Sequence, residues 1–183
     1  MRKLTTKLAA LSILTAIASP AAAIENDYRP YIGLNYAYSR ANVKNLRPHY
    51  NSASFILGSV YNPYFSTEVF YQYAAKDKFG HRELKNSSFN AYGLDMLAYL
   101  PLGCDRKIAP LATMGIGQYT FKQKYIDASH RNDHGWGYRF GAGMQYNINE
   151  QWAARAIFRY IHTDKINSYD HINEYSFGVR YTF

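Results

Sequence analysis

Residues 136–148 read WGYRFGAGMQYNI, and every second residue of this stretch is apolar. The apolar set consists of Trp136, Tyr138, Phe140, Ala142, Met144, Tyr146 and Ile148. The residues between them are glycine, amide residues and one charged residue, Arg139. Side chains alternate between the two faces of a β-strand, whereas a helix would scatter them around its axis. The stretch therefore predicts a strand with one apolar face and one face of glycine and polar residues.

The same alternation recurs along the chain and predicts eight strands. Their approximate ranges are 30–39, 53–61, 66–74, 89–100, 108–120, 136–148, 151–162 and 173–183. The second strand has no clear phase, because both of its faces carry apolar residues. Short turns at 62–65, 101–106 and 149–150 alternate with long polar segments at 40–52, 75–88, 121–135 and 163–172. This rhythm predicts an all-β, up-and-down antiparallel meander.

Charged residues and glycines share one face of these predicted strands. The charged members are Glu68, Asp95, Arg139, Arg155, Arg159, Glu174 and Arg180. The opposite face is free of charge in the strand centres, and a charge facing lipid would cost about 2–4 kcal/mol at the bilayer midplane. Closure into a barrel would also satisfy every backbone polar group, which lipid cannot do. We therefore expect an eight-stranded transmembrane β-barrel with lipid outside and the seven charges in an interior network.

Aromatic residues near the predicted strand ends support a membrane location. Tyr31, Trp136 and Trp152 belong to this group. Aromatic girdles at both membrane interfaces are typical of transmembrane barrels.

The first 23 residues have the layout of a secretory signal peptide. Arg2, Lys3 and Lys7 precede an apolar run over 8–18, and Ala21 and Ala23 form a small-residue cleavage site. The apolar run is shorter than the roughly 20 residues that a membrane-spanning helix needs. We expect residues 1–23 to be removed, which leaves one barrel domain over 24–183. Cys104 is the only cysteine, so an intrachain disulfide is excluded, and its role stays open.

The chain is basic, with a formal net charge of +8, and many of its cations fall in the predicted long segments. They are Arg40, Lys44, Arg47, Lys76, Lys78, Arg82, Lys85, Lys122, Lys124 and Arg131. We expect these residues in extracellular loops. They fit a solvated surface that neutralises anionic lipid, and they also fit adhesion to anionic host-surface or matrix molecules. An exported barrel is not expected to meet nucleic acid, although the charge alone would allow it.

The chain resembles the small outer-membrane β-barrels of Gram-negative bacteria, the OmpA/OmpX and opacity-type (porin-like) group. The leader carries the resemblance together with APLATMGIGQYTF at 109–121, YRFGAGMQYNINEQWAARAIFRYIH at 138–162 and EYSFGVRYTF at 174–183. The resemblance implies a bacterial outer-membrane location, periplasmic termini, and outer-membrane lipids or lipopolysaccharide as partners. It also implies that the barrel assembly machinery reads the last strand. The residues of this assembly signal would be Tyr175, Phe177, Val179, Tyr181 and Phe183.

The expected function is structural and interactive: the barrel stabilises the envelope and presents surface loops. A narrow porin-like channel is the alternative, although eight strands leave little free lumen. An enzyme that modifies lipid A is a further alternative, because His162, Ser168 and His171 lie close in sequence. Lipid A deacylases of this barrel type place a serine two residues after the histidine, and here that position is Asp164. We therefore predict no catalytic residue, cofactor or metal site.

Overall fold

The computed structural model of the protein describes residues 28–43, 49–74, 77–78, 84–103, 107–125, 130–164 and 169–183. The strands are β1 (Arg29–Val43), β2 (His49–Asn62), β3 (Phe65–Ala74), β4 (Asp77–Lys78), β5 (Leu84–Tyr99), β6 (Ile108–Tyr125), β7 (His130–Asn147), β8 (Trp152–Asp164) and β9 (Tyr169–Thr182). The described part of the chain contains no candidate transmembrane helix.

The strands form one closed, antiparallel barrel. Each strand of the wall pairs with its neighbours in sequence, and β1 pairs with β9 to close the cylinder. The two-residue strand β4 continues the line of β3 along β5, so eight strands make up the wall. The predicted eight-stranded up-and-down barrel is confirmed.

Side chains alternate between the interior and the outer surface as the sequence pattern predicts. In β7, Arg139 is buried, whereas Tyr138 and Phe140 on either side of it are exposed on the outer face. The structure also shows which residues of β2 face the interior. Ile56 is buried and lies opposite Gly33, on the inner face of β1. Phe55 is exposed and lies opposite Leu34, on the outer face.

The strands extend further than the sequence predicted at the end opposite the short turns. β6 continues to Tyr125 and β7 begins at His130, with Lys122 opposite Asn132 in an unbroken register. The predicted limits marked the point where the outer face becomes polar, but backbone pairing needs only a neighbouring strand. The 18 residues of β6 would span about 60 Å along the strand at about 3.3 Å per residue. Even when tilted, β6 therefore extends beyond the roughly 25 Å apolar band of such barrels.

We call the end with the short connections and the two ends of the described chain, Tyr28 and Phe183, the turn end, and the opposite end the loop end. Asparagine side chains shape two of the turns. The Oδ1 atom of Asn149 accepts hydrogen bonds from the backbone N–H groups of Gln151 and Trp152, at 3.0 and 2.7 Å. The Oδ1 atom of Asn62 accepts one from Tyr64 at 2.9 Å. Asparagine favours turns because its side chain can replace a backbone acceptor in this way.

The barrel interior contains two apolar clusters as well as charge. The larger cluster comprises Tyr31, Ala41, Tyr50, Ile56, Phe70, Ala74, Phe89, Ala91, Tyr119, Phe121, Ile161 and Ile172. The smaller one comprises Leu97, Tyr99, Ala109, Leu111 and Ile157. Tyr31 was expected in an outer aromatic girdle, but the structure places it inside with 1% of its surface exposed. Its position in the alternation of β1, next to outward-facing Ile32, gives the physical reason.

Two interior glycines make room for the aromatic rings. A Cβ atom at Gly137 would lie 2.6 Å from Cε2 of Tyr119, and one at Gly117 would lie 2.8 Å from Cζ of Phe70. Both separations are shorter than carbon atoms tolerate without movement. The absence of a side chain at these positions is therefore a packing requirement of the narrow lumen.

Candidate functional site

Six charged side chains meet inside the barrel and form an interior charge network. They are Glu68 of β3, Asp95 of β5, Arg139 of β7, Arg155 and Arg159 of β8, and Glu174 of β9. None of them exposes more than 4% of its surface. Three carboxylates face three guanidinium groups, so the network is balanced in charge.

The tightest contact in the network joins Glu68 and Arg155. Nη1 and Nη2 of Arg155 donate to Oε2 and Oε1 of Glu68 at 2.8 and 3.0 Å. The hydroxyl of Tyr31 donates to the same carboxylate at 3.0 Å, and Nε of Arg155 donates to Oδ1 of Asn35 at 3.3 Å. A bidentate, charge-assisted pair of this kind is among the stronger hydrogen-bonded contacts in proteins.

Arg159 lies between all three acids of the network. Its Nη2 atom is 3.7 Å from Oε1 of Glu68 and 3.6 Å from Oδ2 of Asp95, and its Nη1 atom is 3.4 Å from Oε1 of Glu174. Nη1 also donates a 2.8 Å hydrogen bond to the hydroxyl of Ser176. Arg159 therefore connects the Glu68 pair to the rest of the network.

Arg139 completes the network on the side of β7. Its Nη2 atom lies 3.6 Å from Oδ2 of Asp95 and 3.4 Å from Oε1 of Glu174, and its guanidinium carbon lies 3.8 Å from the centre of the Phe70 ring. Glu174 receives a further hydrogen bond of 2.6 Å from Nε2 of Gln72. Buried charges need such partners, because an unpaired ion inside a protein is strongly unfavourable.

Arg180 is inside the barrel but apart from the other six charges. Its guanidinium carbon lies 4.9 Å from the centre of the Tyr31 ring and 5.6 Å from that of Tyr99, and Nη1 donates to the Tyr99 hydroxyl at 3.2 Å. Among the described residues, no carboxylate lies within ion-pair distance of it. The sequence grouped Arg180 with the network because alternation reports the face of a strand and not the level along the barrel.

The network and the apolar clusters fill the lumen rather than lining a passage. The side chains at the level of Arg159 are almost inaccessible to solvent, and the rings of Phe70, Phe89, Tyr119 and Phe121 occupy further interior space. An eight-stranded barrel has an interior just wide enough for side chains to fill. Within the described residues, these buried side chains lie across the lumen, which argues against a wide aqueous path.

We expect the purified barrel to give no stable single-channel current in a planar bilayer, because charged and aromatic side chains block its lumen. The measurement is a current recording across a range of voltages and salt concentrations, with a known porin as the positive control. Reproducible, ion-selective conductance steps from the wild-type protein would contradict this expectation.

Several polar and basic side chains lie on the outer surface at the loop end. The guanidinium carbon of Arg40 lies 5.7 Å from the centre of the Tyr38 ring, and the Tyr38 hydroxyl is 2.9 Å from Nδ1 of His49. The rings of Tyr38 and His49 are stacked, with centres 5.6 Å apart. Lys122 of β6 is also exposed at this end.

The structure describes only part of the predicted basic set. Arg40 and Lys122 lie on strand extensions rather than in loops, which corrects the predicted loop limits. Lys78, Lys85, Lys124 and Arg131 also lie on strands, but their side chains are not described. Lys44, Arg47, Lys76 and Arg82 fall outside the described residues, as do Cys104 and the leader over 1–23.

The histidines considered for an enzymatic site face outward. His162 of β8 is exposed and lies opposite His171 of β9, whose ring stacks on Tyr160 at 5.3 Å. Ser168 falls outside the described residues, and Thr163 points into the interior. The described part of the chain holds no group of three or more histidine, cysteine or acidic residues that could bind a metal ion.

The apolar face of β9 lies on the outer surface of the barrel. Tyr175, Phe177, Val179 and Phe183 are exposed there. Tyr181 packs between Trp152 and Phe183, with ring centres 5.1 and 5.2 Å away. The outer face of β9 is therefore apolar and largely aromatic along its length.

A family model described as "Outer membrane protein beta-barrel domain" matches residues 8–183. Curated protein sequences gave no significant match to the chain. The sequence resemblance to small outer-membrane barrels is confirmed by the family match and by the similar solved structures.

Three solved structures illustrate the shared fold. Neisserial surface protein A superposes with a TM-score of 0.72 at 16% identity, covering 84% of this chain and 97% of that protein's chain. The attachment invasion locus protein Ail of Yersinia pestis gives 0.62 at 15% identity, with coverages of 87% and 100%. The N-terminal β-barrel domain of OprF from Pseudomonas aeruginosa gives 0.62 at 14% identity, with coverages of 84% and 97%. At these identities the similarity concerns the fold alone.

Proposed function

Because the chain belongs to the family of outer-membrane protein β-barrel domains, we propose that it is a surface protein whose loop end binds anionic polymers. In this proposal, residues 1–23 direct export and are removed, and the domain over 24–183 is anchored in the outer membrane among lipids and lipopolysaccharide. The turn end, with both termini, faces the periplasm, and the loop end faces outward. The assembly machinery recognises the apolar face of β9 from Tyr175 to Phe183.

The observation that carries the proposal is the local excess of positive charge where β1 meets β2. The sequence from Arg40 to His49 contains Arg40, Lys44 and Arg47 and no acidic residue. The side chain of Arg40 is exposed on the wall of the barrel beside Tyr38 and His49. Asp164, an exposed acid at the loop end, belongs to β8 and is separated from this region by β9, whose own Asp170 lies beside the end of β1 and offsets the formal charge of one of the three cations.

The chemistry of this region suits sulfate, phosphate or carboxylate groups on a polymer. Guanidinium groups bind such oxyanions through two parallel N–H donors, and several cations on one chain segment can engage successive groups along a polymer. Ail of Yersinia pestis, which has the same fold, has been crystallised in complex with the heparin analogue sucrose octasulfate. We extend that chemistry to this chain on the strength of the Arg40–His49 charge, and host-surface or matrix polysaccharides are the partners we infer.

We expect the double substitution Arg40→Gln/Arg47→Gln to weaken binding to immobilised heparin by roughly 2- to 30-fold, since each exposed ion pair contributes about 0.2–1 kcal/mol. The measurement is surface plasmon resonance on protein in nanodiscs at several salt concentrations. The matched control is Arg29→Gln/Lys107→Gln, which removes the same charge from the turn end. Equal weakening by both doubles would show a general effect of net charge and would sink the proposal.

A further inference from the structure

A cavity of about 590 Å³ opens at the turn end of the barrel. Its lining includes Arg29 of β1, Tyr99 of β5, Lys107 before β6, Trp152 of β8 and Arg180 of β9. The volume falls within the range of small-molecule sites, which is about 300–1,000 Å³. The cavity lies at the opposite end from the basic Arg40–His49 region and has no part in the polymer binding proposed above.

Arg180 brings an uncompensated positive charge to this cavity. Only 9% of its surface is exposed, and its Nε atom is buried without a hydrogen-bond partner among the described residues. The three interior carboxylates are already engaged by Arg139, Arg155 and Arg159. A buried cation requires a counter-ion or several hydrogen-bond acceptors, and the two tyrosine rings beside Arg180 supply only part of this requirement.

The mouth of the cavity adds to the positive charge. Arg29 and Lys107 are exposed side chains of the lining, and Glu150 is the acidic residue of the lining. Among the described residues, the lining therefore carries three basic groups and one acidic group. In addition, Gln145 is 2% exposed, and its Oε1 atom has no hydrogen-bond donor among the described residues. A ligand with an oxyanion and an O–H or N–H group would satisfy both Arg180 and Gln145.

We propose that the turn-end cavity binds a small oxyanion, namely the phosphate or carboxylate group of a solute, with Arg180 as its buried counter-ion. Arg29 and Lys107 attract the anion at the mouth, and Gln145 accepts a hydrogen bond from a donor group on the ligand. The guanidinium of Arg180 is held in place by the Tyr31 and Tyr99 rings, so little side-chain entropy is lost on binding. The site is thus preorganised for an anion that enters from the turn end.

The two tryptophans of the chain allow the site to be tested by fluorescence. Trp152 lies at the rim of the cavity, with its ring packed against Tyr181 on the outer face, whereas Trp136 is exposed on the outer surface near the loop end. In a Trp136→Phe protein, titration with inorganic phosphate at constant ionic strength should give a saturable change in Trp152 emission. Glycolate, which carries a carboxylate and a hydroxyl, is the second probe and shows which oxyanion the site prefers. A Trp152→Phe protein, which keeps Trp136, should show no saturable response.

Substitutions in the cavity then assign the response to the proposed residues. In the Trp136→Phe background, Arg180→Gln should abolish saturation, and Arg29→Gln/Lys107→Gln should raise the half-saturating concentration at least several-fold. The matched control Lys122→Gln, at the opposite end, should leave the curve unchanged. Folding of each variant is checked by the difference in gel mobility between boiled and unboiled samples. If Arg180→Gln does not fold, the exposed double variant decides the question.

Two results would overturn the proposal. One is the absence of a saturable Trp152 response to both probes. The other is the same titration curve in the parent protein and in the folded cavity variants, because the response would then reflect ionic strength rather than a site.

Discussion

Replacing Glu68 with alanine should lower the free energy of unfolding by about 3–5 kcal/mol, because it leaves a buried guanidinium without its counter-ion. Arg155 loses both of its short hydrogen bonds to the carboxylate, and Arg159 loses one of its three acidic neighbours. The change is measured by reversible unfolding in guanidinium chloride with the protein reconstituted in lipid vesicles. Glu150→Ala serves as the control, since Glu150 is an exposed acid in the turn between β7 and β8.

The partner of Glu68 is identified by a double-mutant cycle with Arg155→Ala. The double variant should be less destabilised than the sum of the two single variants, because it removes both charges of the bidentate pair together. Additive effects would mean that the contact between Glu68 and Arg155 contributes nothing specific to stability. A loss below 1 kcal/mol for Glu68→Ala would show that water reaches the network and solvates the remaining arginines.

An arginine in place of Phe140 should destabilise the bilayer-inserted barrel by about 2–4 kcal/mol, because it places a charge in the middle of the lipid-facing surface. Phe140 lies outward on β7 between Met114 of β6 and Tyr160 of β8, which are apolar or aromatic and exposed on the same face. His134→Arg is the matched control, since His134 lies outward on the same strand near the loop end. Its cost should be about 0–1 kcal/mol, as expected near a membrane interface.

The free energies of unfolding of Phe140→Arg and His134→Arg are again measured with the protein in lipid vesicles. The difference between the two arginine variants should shrink when the protein is kept in short-chain detergent micelles, which allow water closer to the wall. Equal destabilisation at both positions in vesicles would contradict the placement of Phe140 at the centre of the apolar band.

The wall of the barrel could be predicted from the sequence because a strand sorts its residues strictly by parity. The alternation around Arg139 assigned Tyr138 and Phe140 to lipid and Arg139 to the lumen, and the structure shows these orientations. The inward-facing residues of the second strand could not be predicted in this way, since small and apolar residues occur on both of its faces. Only its register against β1, with Ile56 opposite Gly33, determines the phase.

The arrangement inside the lumen could not be predicted, because it depends on the stagger between strands. Parity places Arg180 and Arg159 on the same interior face, yet the structure gives Arg159 three carboxylate neighbours and gives Arg180 two tyrosine rings. The interior rings were missed for a related reason. Phe89 and Phe121 are bulky apolar residues on the face that the sequence pattern assigned to charged residues and glycine. Their interior position can be understood only from the packing of strands on opposite sides of the barrel.

The ends of the strands at the loop end were predicted too early, because the prediction placed each strand end where the sequence becomes polar. Lys122 and its neighbours have the polar composition of a loop, but they continue the antiparallel pairing between β6 and β7. Antiparallel pairing depends on backbone groups, so a polar strand in water can persist when the apolar part below it already aligns the chain.

The pairing of β1 with β9 has a consequence for the order in which the molecule can form. Tyr31 lies opposite Thr182, so this contact joins nearly the two ends of the described chain, whereas the other strand pairs are hairpins of neighbouring strands. Contacts between residues so distant in sequence form late and slowly, because a long loop must close first. Until then the growing sheet has two open edges that could pair with other chains. Susceptibility to aggregation should therefore be concentrated in the interval before this last seam closes.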